Sequence, residues 1–314
     1  MRNEIMVSIR CTVFNHAPFL RNCLDGIVSQ QTSFQFEAIV HDDASTDDSA
    51  AIIREYADNY PDIIKPIIEQ ENLYSKNDGR FDTITYDPSL LRGKYIAMCE
   101  GDDYWTDPYK LEKQISYLEK HQECSMVFTN ALMKWDNDAY PARLFSHLKE
   151  QDYSGLDIVE HWMVPTASVV YRREVLLSGL FNRVVHNKKL FVVGDTPIFL
   201  TCAQLGKLHA FPYASCVYRR HNGGFLLSAD SKRRLQLGDY RLEIPKVFGP
   251  EFKRISVLTA LPHYRMGLRY SREEKDFRKC FVFAGRIAKV YLKYPIICCS
   301  RIKQILKEKK EKVV

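Results

Sequence analysis

Residues 36–47 read Phe36-Glu37-Ala38-Ile39-Val40-His41-Asp42-Asp43-Ala44-Ser45-Thr46-Asp47, a short apolar run that breaks abruptly into six polar or small residues. The first half is dense enough in apolar residues to be a buried strand, and the second supplies turn and helix-capping residues for Ala50–Tyr60, which follows with helical spacing. The same alternation repeats outward. Val7, Ile9, Cys11 and Val13 alternate as a strand, Phe19, Leu20, Cys23, Leu24, Ile27 and Val28 recur at helical spacing, and Ile63–Ile68 is another strand. The order β-α-β-α-β implies right-handed crossovers and an α/β fold with a mainly parallel, Rossmann-like central sheet and helices on both faces.

Further along, residues 69–92 are polar and turn-rich (Asn77-Asp78-Gly79, Asp87-Pro88). A strand is expected at Lys94–Cys99, a helix at Tyr109–Lys120 begun by Pro108, a strand at Ser125–Trp135 and a loop over Asp136–Asp152. Beyond Pro165 come a β-like Thr166–Tyr171, a helix near Glu174–Leu180, a helix from Thr196 to Leu205 stopped by Gly206, and a strand near Leu208–Tyr218. From about residue 240 the segments are helical and basic. No internal repeat is present.

Composition narrows the class. With 314 residues, 46% hydrophobic and 27% charged, and only 14 Gly and 13 Pro, the chain is neither collagenous nor disordered. The longest charge-free apolar stretches, such as His161–Tyr171 and Leu208–Tyr218, run to 11 residues, short of the roughly 18 to 20 that cross a bilayer. Met1–Met6 carries Arg2 and Glu4 and lacks the apolar core of a signal peptide, so a cytosolic location is expected. Nine cysteines without a paired Cys-x-x-Cys spacing, several inside apolar segments (Cys11, Cys23, Cys99, Cys202), read as reduced core thiols. The net charge of +6 is unevenly spread. Residues 253–314 hold 17 Lys+Arg against 5 Asp+Glu, which leaves 28 against 34 for residues 1–252. An acidic body thus carries a basic tail, and a charge so confined points to a localised anionic surface.

Three polar clusters each follow a strand. Thr12-Val13-Phe14-Asn15-His16 closes the first, Asp42–Asp47 the second, and Glu100-Gly101-Asp102-Asp103 follows Lys94–Cys99. In a parallel sheet all three share the carboxyl edge, where open α/β sheets bind ligands. Taken singly, Asp42, Asp43 and Ser45-Thr46-Asp47 also read as turn and capping residues, and Phe14 as core. Three carboxylates within four residues repel one another unless a cation neutralises them. Hard oxygen ligands favour Mg2+ or Mn2+, and Mg2+ characteristically shares its shell with substrate phosphates. A metal of this kind implies a diphosphate substrate.

These motifs, in the order Val7-Ser8-Ile9, Phe14-Asn15, Gln30, residues 36–47, Gly93-Lys94-Tyr95-Ile96-Ala97, Glu100-Gly101-Asp102-Asp103-Tyr104-Trp105, Asp107-Pro108 and Lys110-Leu111, resemble family 2 glycosyltransferases of the GT-A fold. The resemblance continues through Gly194-Asp195, Phe199-Leu200, Leu205-Gly206-Lys207 and Tyr218-Arg219-Arg220-His221-Asn222-Gly223-Gly224, covering about residues 5–228. It implies a catalytic domain over residues 1–240, with a donor half to about 110 and an acceptor half beyond, and leaves 241–314 as a basic helical extension.

By that resemblance Thr12, Phe14 and Asn15 line the nucleotide pocket, Asp43 accepts from the base N3–H with Asp42 nearby, and the donor is a UDP-sugar. Glu100, Gly101 and Asp102 complete the nucleotide contacts, although Glu100 stands where the family has Asp. Either Asp102 or Asp103 is the main metal ligand, and His221 completes the shell. Arg219 and Arg220 contact the diphosphate in a Tyr-Arg-x-His segment whose glycines close over phosphate. Arg80 reads either as a base or diphosphate contact or as an exposed arginine. Asp195 matches the family's general base, which takes the proton of the attacking hydroxyl so that one displacement inverts the anomeric centre; it also reads as the N-cap of the helix that follows. Trp105 is expected to stack on a sugar or acceptor ring, with Trp162 as the other candidate.

In the tail, Phe277, Cys280, Phe281, Ala284, Ile287, Ala288 and Tyr291 recur at helical spacing with Arg278, Lys279, Arg286, Lys289 and Lys293 elsewhere, and Ile296, Ile297, Ile302, Ile305 and Leu306 lead to the run Lys307–Lys312. Residues 273–312 therefore read either as a basic amphipathic element on an anionic cytoplasmic membrane face or as a helical cap. Membrane placement suits a saccharide or lipid-linked saccharide acceptor in surface-polysaccharide synthesis. A nucleotidyltransferase and a silent nucleotide-sugar-binding protein remain as alternatives, and nucleic-acid binding is disfavoured because the basic residues accompany an aliphatic face.

Overall fold

The computed structural model describes residues 4–76, 79–136, 140–190, 192, 194–221 and 230–299. The chain forms two compact units, one of Met1–His186 with Ile198–His221, the other of Asn187–Pro197 with Asn222–Val314.

The first unit is built on a ten-stranded sheet of β1 (Ile5–Val13), β2 (Gln35–Asp42), β3 (Ile64–Ile68), β4 (Tyr95–Met98), β5 (Tyr104–Trp105), β6 (Cys124–Trp135), β7 (Arg143–Leu144), β8 (Gln151–Tyr153), β9 (Val170–Arg172) and β10 (Lys207–Arg220). The order is β3-β2-β1-β4-β9-β6-β10-β5, with β7 on β6 and β8 on β10. The half from β3 to β4 is parallel, as the β-α-β pattern requires. Beyond β4 the sheet turns mixed, because β9 runs antiparallel to both β4 and β6, while β6 and β10 pair in parallel. The short β7 falls inside the segment expected to be loop and β8 straddles its end, and a single-turn 3-10 helix at Thr166–Ser168 precedes β9.

The alternation in β1 explains its central place. Val7, Ile9, Cys11 and Val13 are buried with Leu20, Cys23, Leu24 and Ile27 of the helix Ala17–Val28. The intervening Ser8 and Arg10 are buried too, and buried polar groups need partners. Ser8 Oγ donates to Glu37 Oε1 (2.9 Å), Glu37 is held by Arg92 (2.7 Å), and Arg10 Nη1 donates to Glu100 Oε1 (3.1 Å). Gly93 lies so close to β1 that a Cβ there would meet Ser8 N at 2.4 Å and Val7 C at 2.7 Å. Of the residues read as core thiols, Cys11, Cys23 and Cys99 sit in this interior, Cys202 is buried elsewhere, and all four are free cysteines.

In the second unit the helices Ser231–Phe248, Lys253–Glu273 and Phe277–Lys293 share a separate apolar cluster of Val257, Ala260, Leu261, Tyr264, Phe283 and Val290. Among the described residues no helix is long and apolar enough to cross a membrane.

Candidate active site

Parallel pairing brings the carboxyl ends of β1, β2 and β4 to one edge, and hydrogen bonds knit the loops that leave them. Gly101 N donates to Thr12 O (3.0 Å) and Asp43 N to Val13 O (2.9 Å). Asn15 N donates to Ser45 Oγ (2.8 Å), Asn15 Oδ1 accepts from Thr46 N (2.8 Å), and Asp47 Oδ2 accepts from Ala17 N (3.0 Å). Ser45 Oγ in turn donates to Asp42. Asn15 (φ 55°) and Ala44 (φ 57°) both adopt left-handed backbone in these loops. Asn tolerates that region, whereas for Ala it is a cost of the kind concentrated at functional sites. The three clusters expected to share an edge do so.

The acidic loop separates its two aspartates. Asp103 is 3% exposed, and its Oδ1 accepts from Arg219 N at 2.8 Å. Burial, reinforced by the charge of Asp102 beside it, pushes the Asp103 carboxyl well above the usual carboxylate range. Asp102 faces two histidines instead: its Oδ2 lies 3.1 Å from His221 Nε2 and 4.0 Å from His16 Nε2. Burial opposes its charge, but the His221 hydrogen bond and the neighbouring imidazoles outweigh it and hold the carboxyl below its ordinary value. His16 is itself pushed down by burial, against the pull of Asp102. Its buried Nδ1 has no hydrogen-bond partner among the described residues. Gly101 makes this approach feasible, since a Cβ there would meet His16 Nδ1 and Val13 Cγ2 at 2.9 Å.

Arg219 braces the loop. Its Nε donates to Asp102 O (2.9 Å), its Nη2 to Asn22 Oδ1 (3.2 Å), and its guanidinium covers the rings of Phe19 and Tyr104 at 4.9 and 5.0 Å. Arg220 lies over Trp135 at 4.8 Å. Glu100 turns to Arg10. Asp43 is buried, and its two oxygens accept from Leu73 N (2.6 Å) and Tyr74 N (3.0 Å). Phe14, read on its own as a core residue, is 43% exposed at the edge, which leaves its ring available to a ligand. Arg80 is half-exposed and pairs with Glu71 at 2.7 Å.

Trp105 requires a correction. Expected to stack on a sugar, it is 4% exposed: pairing of β5 with β10 turns it inward, its indole N–H donates to Ala167 O (2.7 Å), and Lys110 Nζ covers its ring at 4.2 Å. Trp162 is the exposed one, 50% accessible, packed against Phe145 at 4.5 Å and Tyr218 at 5.7 Å between ring centroids. Asp195 is the first residue of the helix Asp195–Leu205, and its Oδ1 accepts from Thr196 N at 2.5 Å and from Thr196 Oγ1 at 3.2 Å. The glycines Gly223-Gly224 lie outside the described residues.

Two polar residues escaped the sequence reading. His16 was legible only as the end of a polar cluster, because nothing local says that a residue 86 positions before Asp102 faces it. Asp82, in the first turn of the helix Arg80–Thr85, is pushed up to about 6 by burial, and the polar stretch around it carries no sign of that burial.

The model of Glycosyl transferase family 2 matches residues 8–179, more than half of the chain. The protein belongs to this family. The family 2 match takes in β1, β2 and β4 and the acidic loop. A protein of Mycobacterium tuberculosis named only as uncharacterized protein Rv1520 is 35% identical over 228 residues, 73% of this chain and 62% of that protein. The match thus spans less than two thirds of that relative's length. Among solved structures, Staphylococcus aureus TarS 1-349 in complex with UDP-GlcNAc aligns with a TM-score of 0.67 at 16% identity, over 91% of this chain and 81% of TarS. The mannosyltransferase PcManGT of Pyrobaculum calidifontis, in complex with GDP-Man and Mn2+, gives 0.52 at 16% identity, over 94% and 82%. These likenesses show the GT-A fold.

Proposed function

We propose that this glycosyltransferase moves a sugar, with inversion, from a UDP-sugar to a hydroxyl of a saccharide or lipid-linked saccharide in surface-polysaccharide assembly. The observation that carries the reading is the meeting of Asp102, His221 and His16 at the edge where β1, β2 and β4 end.

The donor set fits a divalent ion of the Mn2+ or Mg2+ type. Among the described residues no three His, Cys, Asp or Glu side chains are placed to hold an ion. A carboxylate and an imidazole, Asp102 and His221, with His16 Nε2 4.0 Å from the same carboxylate, match an ion that takes the rest of its shell from diphosphate and water. When bound, such an ion supplies charge neutralisation for the departing nucleoside diphosphate. Asp103, buried and already accepting from Arg219, serves as a brace for the loop. Nucleotide-diphosphate sugars are the ligands named for both structural neighbours.

Phe14 offers a ring to the nucleobase, and Asp43, whose oxygens each keep a further lone pair, accepts its N–H. Arg219 and Arg220 flank the diphosphate. Asp195, in its family motif, removes the proton of the attacking hydroxyl. Trp162, with Phe145 and Tyr218 behind it, replaces Trp105 as the ring on which an acceptor sugar stacks.

Titration calorimetry with UDP-, GDP- and dTDP-sugars, with and without Mn2+, tests this reading. UDP-sugars should bind most tightly and only with the metal. Tighter GDP-sugar binding, or UDP-sugar binding of equal strength after chelation, refutes the donor or the metal assignment respectively.

A further inference from the structure

The helix Phe277–Lys293 has two apolar faces, and only one of them is covered. Phe283 and Val290 are buried in the cluster with Val257, Leu261 and Tyr264, which fixes the helix to its own unit. Phe277 and Phe281 are 75% and 80% exposed, and Leu292 is 83% exposed. At 100° per residue, Phe277, Phe281, Ala284, Ala288 and Leu292 fall within roughly 80° of one another, a stripe about 22 Å long. All five are exposed. Ile296, 84% exposed in the helical residues 295–299, follows just beyond. An ordered apolar stripe this open marks a surface that something covers.

Charge says what covers it. Residues 277–293 hold five Lys or Arg and no Asp or Glu, and residues 253–299 hold eleven against three. Arg286 is paired with Asp239, and Lys279 with Glu274 and Asp276. By helical position Arg278, Lys289 and Lys293 line one flank of the stripe. A second copy of the chain laid on this face would bring like charges together, whereas an anionic bilayer accepts both the aromatic stripe and the basic flank.

We propose that the helix Phe277–Lys293 lies in the interface of an anionic lipid bilayer, with Phe277, Phe281 and Leu292 inserted among the acyl chains and Arg278, Lys289 and Lys293 at the headgroups. The surface belongs to the second unit alone, so the inference stands apart from the donor and metal assignments. It places the enzyme at the plane where a lipid-linked acceptor resides.

The test is co-sedimentation of the full chain with phosphatidylglycerol/phosphatidylcholine vesicles and with phosphatidylcholine vesicles. Binding should require the anionic lipid and weaken with salt. Each of Phe277→Ser and Phe281→Ser should lower the partition coefficient about tenfold, with an unchanged melting temperature because both rings are exposed. No binding by the wild type, equal binding by the double variant, or a stripe-dependent dimer in light scattering without vesicle binding overturns the proposal. Hydrogen exchange of the wild type supplies a readout free of mutation: amides of residues 277–293 should slow on anionic vesicles, and unchanged exchange overturns it equally.

Discussion

Lys110 is fully buried beneath the acidic loop, with Nζ donating to Gln114 Oε1 at 2.8 Å and lying 4.2 Å from the Trp105 ring centroid. Burial pushes its ammonium down to about 8 from the ordinary lysine value. Between that value and about 10.5 the unfolded chain binds a proton that the folded chain does not, so stability rises with pH across this window. Below it both states are protonated, and the folded state carries the whole desolvation cost, about 3 kcal/mol. Going from pH 7 to pH 10 recovers roughly 2.5 kcal/mol of it. Lys110→Met removes the titration and also leaves Gln114 Oε1 without its donor, a pH-independent loss of about 1–3 kcal/mol. The informative quantity is therefore the change with pH of the stability difference between wild type and variant. Urea unfolding followed by tryptophan fluorescence reports on the unit concerned, since Trp105, Trp135 and Trp162 all lie in it. The wild type should gain about 2–3 kcal/mol on the variant between pH 7 and pH 10. A difference constant within about 0.5 kcal/mol would show that the Trp105 ring compensates the buried charge and that the desolvation argument is wrong.

The acidic loop offers a paired test. Asp102→Asn should abolish Mn2+-dependent binding of a UDP-sugar in calorimetry, while Asp103→Asn, which keeps an acceptor for Arg219 N, should retain most of it; the reverse order would exchange their roles. Asp195→Asn should lower kcat by about 10²–10⁴ with donor affinity unchanged, and near wild-type turnover would refute the base assignment. Gly93→Ala should cost about 3 kcal/mol or more in thermal melts, because the new Cβ meets β1 backbone, which has no rotamer to yield; a cost under 1 kcal/mol would mean that β1 shifts freely.

The strands and helices of the first 70 residues, and the three polar clusters on one edge, were legible because strand alternation, helical spacing and turn residues are properties of neighbours in the chain. Parallel pairing then left those clusters little choice of location. The mixed half of the sheet was less legible, since β5 and β7 are only two residues long and exist through their partners.

By itself the sequence determined the α/β order, the acidic loop, the Tyr-Arg-x-His segment and the basic tail. Tertiary structure decided which members of those motifs are available to a ligand. Asp102 rather than Asp103 faces His221 and His16, Trp105 turns inward while Trp162 stays open, and Phe283 is buried while Phe277 and Phe281 face outward. Each choice turns on burial against partners far away in sequence. Burial is what sets the charge of a carboxylate and the availability of a ring, and no local pattern carries it.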